Sequence, residues 1–272
     1  MKEYEKVIEA VDFIKSKIQV TPEIGIILGT GLGAFAEKIE EKIIIPYKEI
    51  PHFPISTVQT HLGNLIIGKF GGKNVVAMQG RFHLYEGYTP YQVVFPIRVM
   101  KFLGINILIE SNAAGGLNPL FNKGDIVIIT DHINLTGQNP LVGENDERFG
   151  PRFPDMSSPY SQDLITLAEK IGIEEKIPLK KGVLVGLLGP NLETKAEYRF
   201  LRLIGADMVT MSTVIEVIAG VHLGLKILGF SVITDMCLPD ALKPVTFEEI
   251  VEVASKSEPK LTKIVEKVII NL

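Results

Sequence analysis

The sequence predicts an α/β fold, a single domain with a mixed central β-sheet flanked by helices. Three observations carry this. Short, nearly continuous apolar runs alternate with segments of helical spacing, the pattern of strands buried on both faces. Two adjacent runs, 64–70 and 74–78, are joined through Gly71-Gly72-Lys73 as an antiparallel pair, so the sheet is not purely parallel. The composition, 46% hydrophobic and 22% charged over 272 residues, supplies a large core and argues against disorder.

Taken in order, Tyr4, Val7, Ile8, Val11, Ile14 and Ile18 recur at helical spacing and predict a helix over 3–18. After Pro22, residues 24–28 form an apolar strand that runs into Gly29-Thr30-Gly31-Leu32-Gly33. Further strands are expected at 64–70, 74–78, 105–109, 126–130, 183–188 and 227–233, with a strand-like 207–210. Helices are expected at 91–103, 161–171, 193–204, 213–224 and 246–270. The last opens with Thr246 and Glu249, a capping box. Residues 131–160 lack periodicity. Ordered loops of that length usually have a function. Phe149, Phe153, Met156 and Tyr160 give this one an apolar surface to bury, as a lid or a subunit contact.

Composition excludes several classes. The net charge is −4 and no basic stripe or zinc-finger spacing occurs, so nucleic acid is not an expected partner. Cys237 is the only cysteine, which rules out an internal disulfide and suits a reducing compartment. The start, Met1-Lys2-Glu3-Tyr4-Glu5, lacks a signal-peptide core. The apolar runs fall short of the roughly 18 residues of a membrane span. The expected location is the cytoplasm. His52, His61, His83, His132 and His222 show no metal-ligand spacing, so neither a metal nor a cofactor is expected. No GxSxG elbow or Cys-His signature supports a covalent nucleophile.

The chemistry-bearing residues follow strands. Beyond the run 74–78 stands Gln79-Gly80-Arg81-Phe82-His83-Leu84-Tyr85-Glu86-Gly87-Tyr88. In extended chain Arg81 and His83 share a side and Phe82 takes the other. A guanidinium with an imidazole suits an oxyanion such as phosphate. The Gly29–Gly33 loop reads as an anion-binding turn or a plain tight turn; it lacks the spacing of a dinucleotide fingerprint. Asn112-Ala113-Ala114-Gly115-Gly116 allows close approach of a ligand, or is a strand–helix turn. Glu193, Ser212 and Thr213 read as cleft residues or as helix caps, and Thr234 and Asp235 end a strand. Polar groups recurring at one sheet edge point to a single cleft at the carboxyl ends of the strands.

These residues closely resemble the purine nucleoside phosphorylases of the trimeric class. The matching strings are GTGLG (29–33), HFPISTV (52–58), QGRFHLYEGY (79–88), NAAGGLN (112–118), DHINLTGQNPL (131–141), NDERFGPRFPDMS (145–157), GPNLETKAE (189–197), GADMVTMSTVIEV (205–217) and FSVITD (230–235). The resemblance implies one nucleoside phosphorylase domain over 1–272. It also implies a pentosyl transfer in which a purine nucleoside and inorganic phosphate give free base and ribose 1-phosphate. It implies phosphate binding by Thr30, His61, Arg81, His83, Ala113 and Ser212. Ribose contacts fall to Tyr85, Phe153, Met211 and Phe247, and base contacts to Ala114, Gly115, Leu192, Glu193, Thr234 and Asp235. His83, Glu193 and Asp235 are the catalytic expectation. Phe153 would reach across the interface of a homotrimer. Phosphate is a co-substrate, with no cofactor.

Three departures stand out. Thr30 replaces the family's Ser, and both hydroxyls can bind phosphate. Asp235 stands where 6-oxopurine-specific relatives have Asn; a carboxylate accepts from a 6-amino group and points to adenosine tolerance. Glu193 pulls the other way, because it accepts from the N1–H of a 6-oxopurine. Phe247 stands where the family has a His for the ribose 5′-hydroxyl, which favours 5′-deoxy or 5′-methylthio nucleosides. The rival expectation is a 5′-methylthioadenosine phosphorylase. A non-catalytic nucleoside-binding protein is the rival of another class.

Overall fold

The computed structural model describes residues 2–29, 33–57 and 62–272. Thr30 and His61, expected at the phosphate, lie outside the described residues. The strands are β1 (Ile24–Leu28), β2 (Glu40–Pro46), β3 (Asn64–Phe70), β4 (Lys73–Gln79), β5 (Ile107–Gly116), β6 (Ile126–Asn134), β7 (Leu179–Gly186), β8 (Met208–Thr210) and β9 (Lys226–Met236). The helices are α1 (Glu3–Lys15), α2 (Pro90–Leu103), α3 (Gln162–Glu174), α4 (Lys195–Leu203), α5 (Val214–His222) and α6 (Phe247–Ile270).

The strands form one mixed sheet in the order β2-β3-β4-β1-β5-β8-β7-β6-β9, and β9 pairs back onto β5. The second half therefore closes into a ring, while β2, β3, β4 and β1 extend from it as an open blade. β3 and β4 are the antiparallel pair read from the sequence, in register from Asn64↔Gln79 to Phe70↔Lys73. The strand β2 has no counterpart among the expected ones. It sits at the blade's edge and begins Glu40-Glu41-Lys42, the charged chemistry of a solvent-facing edge strand rather than of a buried one.

β5 is the pivot of the fold. Its first half pairs in parallel with β1, from Ile24↔Ile107 to Ile27↔Glu110, and its other edge pairs with β9. β1 stops at Leu28, whereas β5 runs on to Gly116. β8 takes up the vacated edge only at Gly115 and Gly116. The sheet thus splits beside Ser111–Ala114. The expectation of a loop at 112–116 is corrected here: these residues continue the strand, because pairing with β9 satisfies their backbone. Their small size serves packing. A Cβ at Gly115 would come within 2.5 Å of Cys237 Sγ.

Helices cover both faces: α1 packs on α2 and α2 on α5, while α3 packs on α6 and α6 on β9. All five residues of β1 are buried. Each buried Ile or Leu side chain contributes about 1.5–3 kcal/mol. A smaller apolar cluster of Leu117, Val185, Tyr198, Leu201, Ala206, Val209 and Cys237 lies where α4 meets the ring. Helix starts follow the caps: the Thr89, Thr194 and Thr246 hydroxyls accept from the N–H of Gln92, Glu197 and Glu249. No helix among the described residues is long and apolar enough to cross a membrane.

The 131–160 segment begins as the end of β6 and is then irregular. Phe149 is buried against Tyr4, Phe102 and the Arg98 guanidinium, and Tyr160 is buried as well. The apolar surface expected to cover a neighbour is mostly spent inside this chain. Phe153 is the exception, at 86% exposure.

Candidate functional site

A cavity of about 420 Å³ opens at the split in the sheet, within the size range of small-molecule sites. Its walls bring together Arg81, His83, Tyr85, Ala113, Ala114, Gly115, Leu192, Glu193, Met211, Ser212, Thr234, Asp235 and Phe247, all singled out in the sequence. Phe153 does not line it.

At one end stands Arg81. Gly80, at φ +110°, turns the chain out of β4, and Tyr47 donates to the Gly80 carbonyl at 2.8 Å. Phe82 then points into the core against Tyr47 and Tyr88, leaving Arg81 and His83 on the cavity side. The Arg81 guanidinium is held on every nitrogen. Nε donates to Glu216 Oε1 at 3.1 Å, Nη1 to the Ser111 carbonyl at 2.7 Å and to Ser212 Oγ at 3.3 Å. Nη2 faces Glu110 at 3.4 Å and Glu216 at 3.1 Å. Gly29 makes the Ser111 contact attainable, since a Cβ there would lie 2.3 Å from that carbonyl oxygen.

Neither Glu110 nor Glu216 was singled out in the sequence. Each is a lone charge in an apolar run, ILIES and VIEVI, and a charge in such a run needs a buried partner. Glu110 is fully buried and its Oε1 has no hydrogen-bond partner. Burial raises its pKa well above the usual carboxylate range; the Glu216 charge adds to this and Arg81 opposes it. A protonated Glu110 leaves Arg81 balanced by one carboxylate rather than outweighed by two.

His83 is oriented by Glu86, whose Oε1 accepts the His83 backbone N–H and lies 2.8 Å from Nδ1. Burial would raise the Glu86 pKa, but hydrogen bonds from His83 and Thr57 overcome this and hold it at about 2. An ionised Glu86 fixes the Nδ1 hydrogen toward itself. Tyr85 stacks on the His83 ring at 4.6 Å. Burial, and then Glu86, push its phenol up to about 12 against Arg81, so it remains a donor.

Ser212 sits on a strained turn. Thr213 has φ +70° and ψ −56°, and the Val214 N–H donates to the Ser212 carbonyl at 2.7 Å. This is the rare form of γ-turn. Glu216 Oε2 accepts the Thr213 N–H at 2.7 Å, and Asn112 Nδ2 donates to Thr213 Oγ1 at 2.8 Å. Asn112 is in turn held by Ser231 at 2.9 Å.

At the far end are Glu193, just before α4, and Asp235, near the end of β9. Burial raises the pKa of Glu193, with a hydrogen bond from Tyr198 opposing. Asp235 accepts from Thr234 Oγ1 at 3.0 Å and from Cys237 Sγ at 3.2 Å. Val245, Phe247 and Ile250 form an apolar wall. Among the described residues, no group of three or more His, Cys, Asp or Glu could hold a metal.

The family model of the phosphorylase superfamily matches residues 23–270. Purine nucleoside phosphorylase 1 of Bacillus subtilis (strain 168) is 49% identical over 265 residues, covering 97% of this chain and 98% of that protein. The chain belongs to the purine nucleoside phosphorylases of this superfamily. A second member of this family, purine nucleoside phosphorylase 1 of Geobacillus stearothermophilus, is 47% identical over 97% of this chain and 96% of its own length. The family fold is equally close. The crystal structure of isoform 2 of the Schistosoma mansoni enzyme, in complex with cytosine and ribose-1-phosphate, superposes with a TM-score of 0.95 at 43% identity. It covers 99% of this chain and 97% of that one. The S. mansoni enzyme in complex with adenosine gives 0.93 at 44% identity, covering 98% and 97%.

Proposed function

We propose that this protein catalyses the reversible phosphorolysis of purine nucleosides, with residues 1–272 as one nucleoside phosphorylase domain. The observation that carries this is one cavity with a donor-rich end at Arg81, His83 and Ser212 and a carboxylate end at Glu193 and Asp235. Tyr85 and Met211 lie in the same wall. In this reading Arg81, His83, Ser212 and the Ala113 backbone hold phosphate, joined by Thr30 and His61. Tyr85, Met211 and Phe247 meet the ribose. Ala114, Gly115, Leu192, Glu193, Thr234 and Asp235 meet the base.

The chemistry follows from charge. As the C1′–N9 bond breaks, positive charge builds on the sugar and negative charge on the purine. Phosphate held beneath C1′ stabilises the first and then forms the C1′–O bond; holding both reactants in one cavity lowers the entropic barrier. Groups at the base end that donate to the purine stabilise the second. No covalent enzyme intermediate is required.

The reading extends to adenosine. Asp235 can accept from a 6-amino group, and a similar protein has been crystallised with adenosine. The apolar wall at Phe247 supports tolerance of 5′-deoxy nucleosides. A 5′-methylthioadenosine phosphorylase is less favoured, because the relatives named above are purine nucleoside phosphorylases. We place the enzyme in the cytoplasm as a homotrimer whose exposed Phe153 closes a neighbour's site. The test is base release from inosine, guanosine, adenosine and 5′-methylthioadenosine, with and without phosphate. Phosphate-dependent release from inosine or guanosine is expected. Release by water alone, or none at all, overturns the reading.

A further inference from the structure

Asn112 lines the cavity, yet none of the phosphate, ribose or base contacts proposed above falls to its side chain. Its amide is the middle of a hydrogen-bonded row. Asn112 on β5 stands opposite Ser231 on β9 in the parallel pairing. Ser231 Oγ donates to Asn112 Oδ1 at 2.9 Å, and Asn112 Nδ2 donates to Thr213 Oγ1 at 2.8 Å. Thr213 Oγ1 lies 3.2 Å from Ser212 Oγ. Ser212 Oγ in turn lies 3.3 Å from Arg81 Nη1 and 3.3 Å from Thr210 Oγ1. Asn112, Thr213 and Ser231 are each at most 2% exposed, so bulk water does not compete for these bonds.

The hydrogens give the row a direction. An amide nitrogen can only donate, so Thr213 Oγ1 accepts at that contact and its own hydrogen points elsewhere. Ser212 Oγ is an acceptor within its reach. A guanidinium also only donates, so Ser212 Oγ accepts from Arg81 as well. A hydroxyl oxygen has two lone pairs, and Arg81 and Thr213 occupy both. Ser212 is then left with its hydrogen to give. Thr210 Oγ1 donates to the Ala113 carbonyl at 3.2 Å, so it can accept that hydrogen from 3.3 Å. A phosphate oxygen in the cavity carries charge and is the stronger acceptor.

We propose that Asn112 is a positioning residue for phosphate: through Thr213 it makes the Ser212 hydroxyl a donor to the anion end of the cavity. The proposal rests on the phosphorolysis reading for the identity of the anion. Ser231 holds Oδ1, which turns the amide nitrogen rather than the oxygen toward Thr213. With the amide reversed, Thr213 would donate to Asn112 and could draw the Ser212 hydrogen. Phosphate would then meet an oxygen with no hydrogen to offer.

The experiment is a double-mutant cycle on Asn112→Ala and Ser212→Ala. It reads calorimetric binding of inorganic phosphate, and the phosphate KM with inosine. Each single change weakens phosphate by about tenfold, the lower end for one hydrogen bond to a charged group. In the double variant the losses do not add, because Asn112→Ala costs little once Ser212 has no hydroxyl. Thr213→Val breaks the row at its next member and repeats the loss, while Thr213→Ser keeps the hydroxyl and restores binding. That pair decides the question if Asn112→Ala does not fold. Additive losses in the cycle would place the effect of Asn112 on the neighbouring Ala113 backbone and overturn the proposal. Wild-type phosphate binding in both Asn112→Ala and Thr213→Val overturns it too. If the coupling appears in phosphate binding but inosine is not cleaved, the role of Asn112 stands and the phosphorolysis reading falls.

Discussion

Arg81 and Glu216 meet in a two-pronged pair: Nε lies 3.1 Å from Oε1 and Nη2 lies 3.1 Å from Oε2, with both side chains buried. The same Oε2 accepts the Thr213 N–H. One carboxylate therefore positions both the guanidinium and the turn that presents Ser212. A guanidinium without this partner would be a buried, under-compensated charge.

Glu216→Ala should destabilise the protein by about 3–5 kcal/mol, the cost of removing one member of a buried ion pair. It should also raise the phosphate KM, because Arg81 and Ser212 lose their common support. Denaturant unfolding and phosphate titration at fixed inosine measure the two effects. Wild-type values for both would refute the arrangement.

Glu110→Gln should behave differently. With its folded pKa raised, Glu110 holds its proton more tightly in the folded state than in the unfolded one. Its contribution to stability is therefore greatest below the ordinary Glu value of about 4.3 and declines as pH rises above that. The amide removes this decline, so the variant should equal or exceed wild-type stability at pH 8 and show a flatter profile from pH 5 upward. Denaturation midpoints at the two pH values decide it. A large loss at pH 8 would mean that Glu110 works as an ionised partner of Arg81.

Glu86 has the opposite sign. Its folded pKa is lowered to about 2, so its stabilising contribution is present above the unfolded value and is lost as pH falls toward 2. Glu86→Gln should remove that part of the acid transition. It should also lower activity at neutral pH, since His83 loses the acceptor that fixes its tautomer. Acid titration followed by circular dichroism, alongside a pH–rate profile, tests both. An unchanged acid transition would contradict the His83–Glu86 coupling.

Thr213 offers a test of strain. A residue in such a region costs about 1–3 kcal/mol, and the loss of its hydroxyl leaves buried Asn112 short of a partner at a cost of about 1–3 kcal/mol. Thr213→Gly relieves the first and incurs the second, so its stability should stay within about 1 kcal/mol of wild type. Thr213→Val keeps the strain and loses the hydroxyl, and should cost about 1–3 kcal/mol. Equal stability of the two variants, measured in urea, would argue that the turn stores no strain.

Phe153 tests the proposed assembly. Phe153→Ala should leave the fold intact, because the ring is exposed on this chain. It should raise the nucleoside KM if a neighbour's site uses it. Sedimentation gives the oligomeric state and inosine kinetics give the effect. A monomeric wild type with full activity would sink the trimer reading.

Much of this protein was legible in its residues. Arg81, His83, Glu193, Ser212 and Asp235 could be placed at one cleft because each follows an apolar run, and strand ends collect at one edge of a sheet. The antiparallel β3–β4 pair was legible because three consecutive residues, Gly71-Gly72-Lys73, leave no room for a crossover. Other features depend on contacts between residues far apart in the chain. The closure of β9 onto β5 joins segments more than a hundred residues apart, and no local pattern encodes which edge meets which. The same is true of the Arg81–Glu216 pair. A lone Glu in an apolar run announces that a partner exists, but only packing chooses it. Local composition determined the elements and the residue types at the site; the tertiary structure decided the partners, because burial turns a neighbour's charge and hydrogens into the dominant forces on each group.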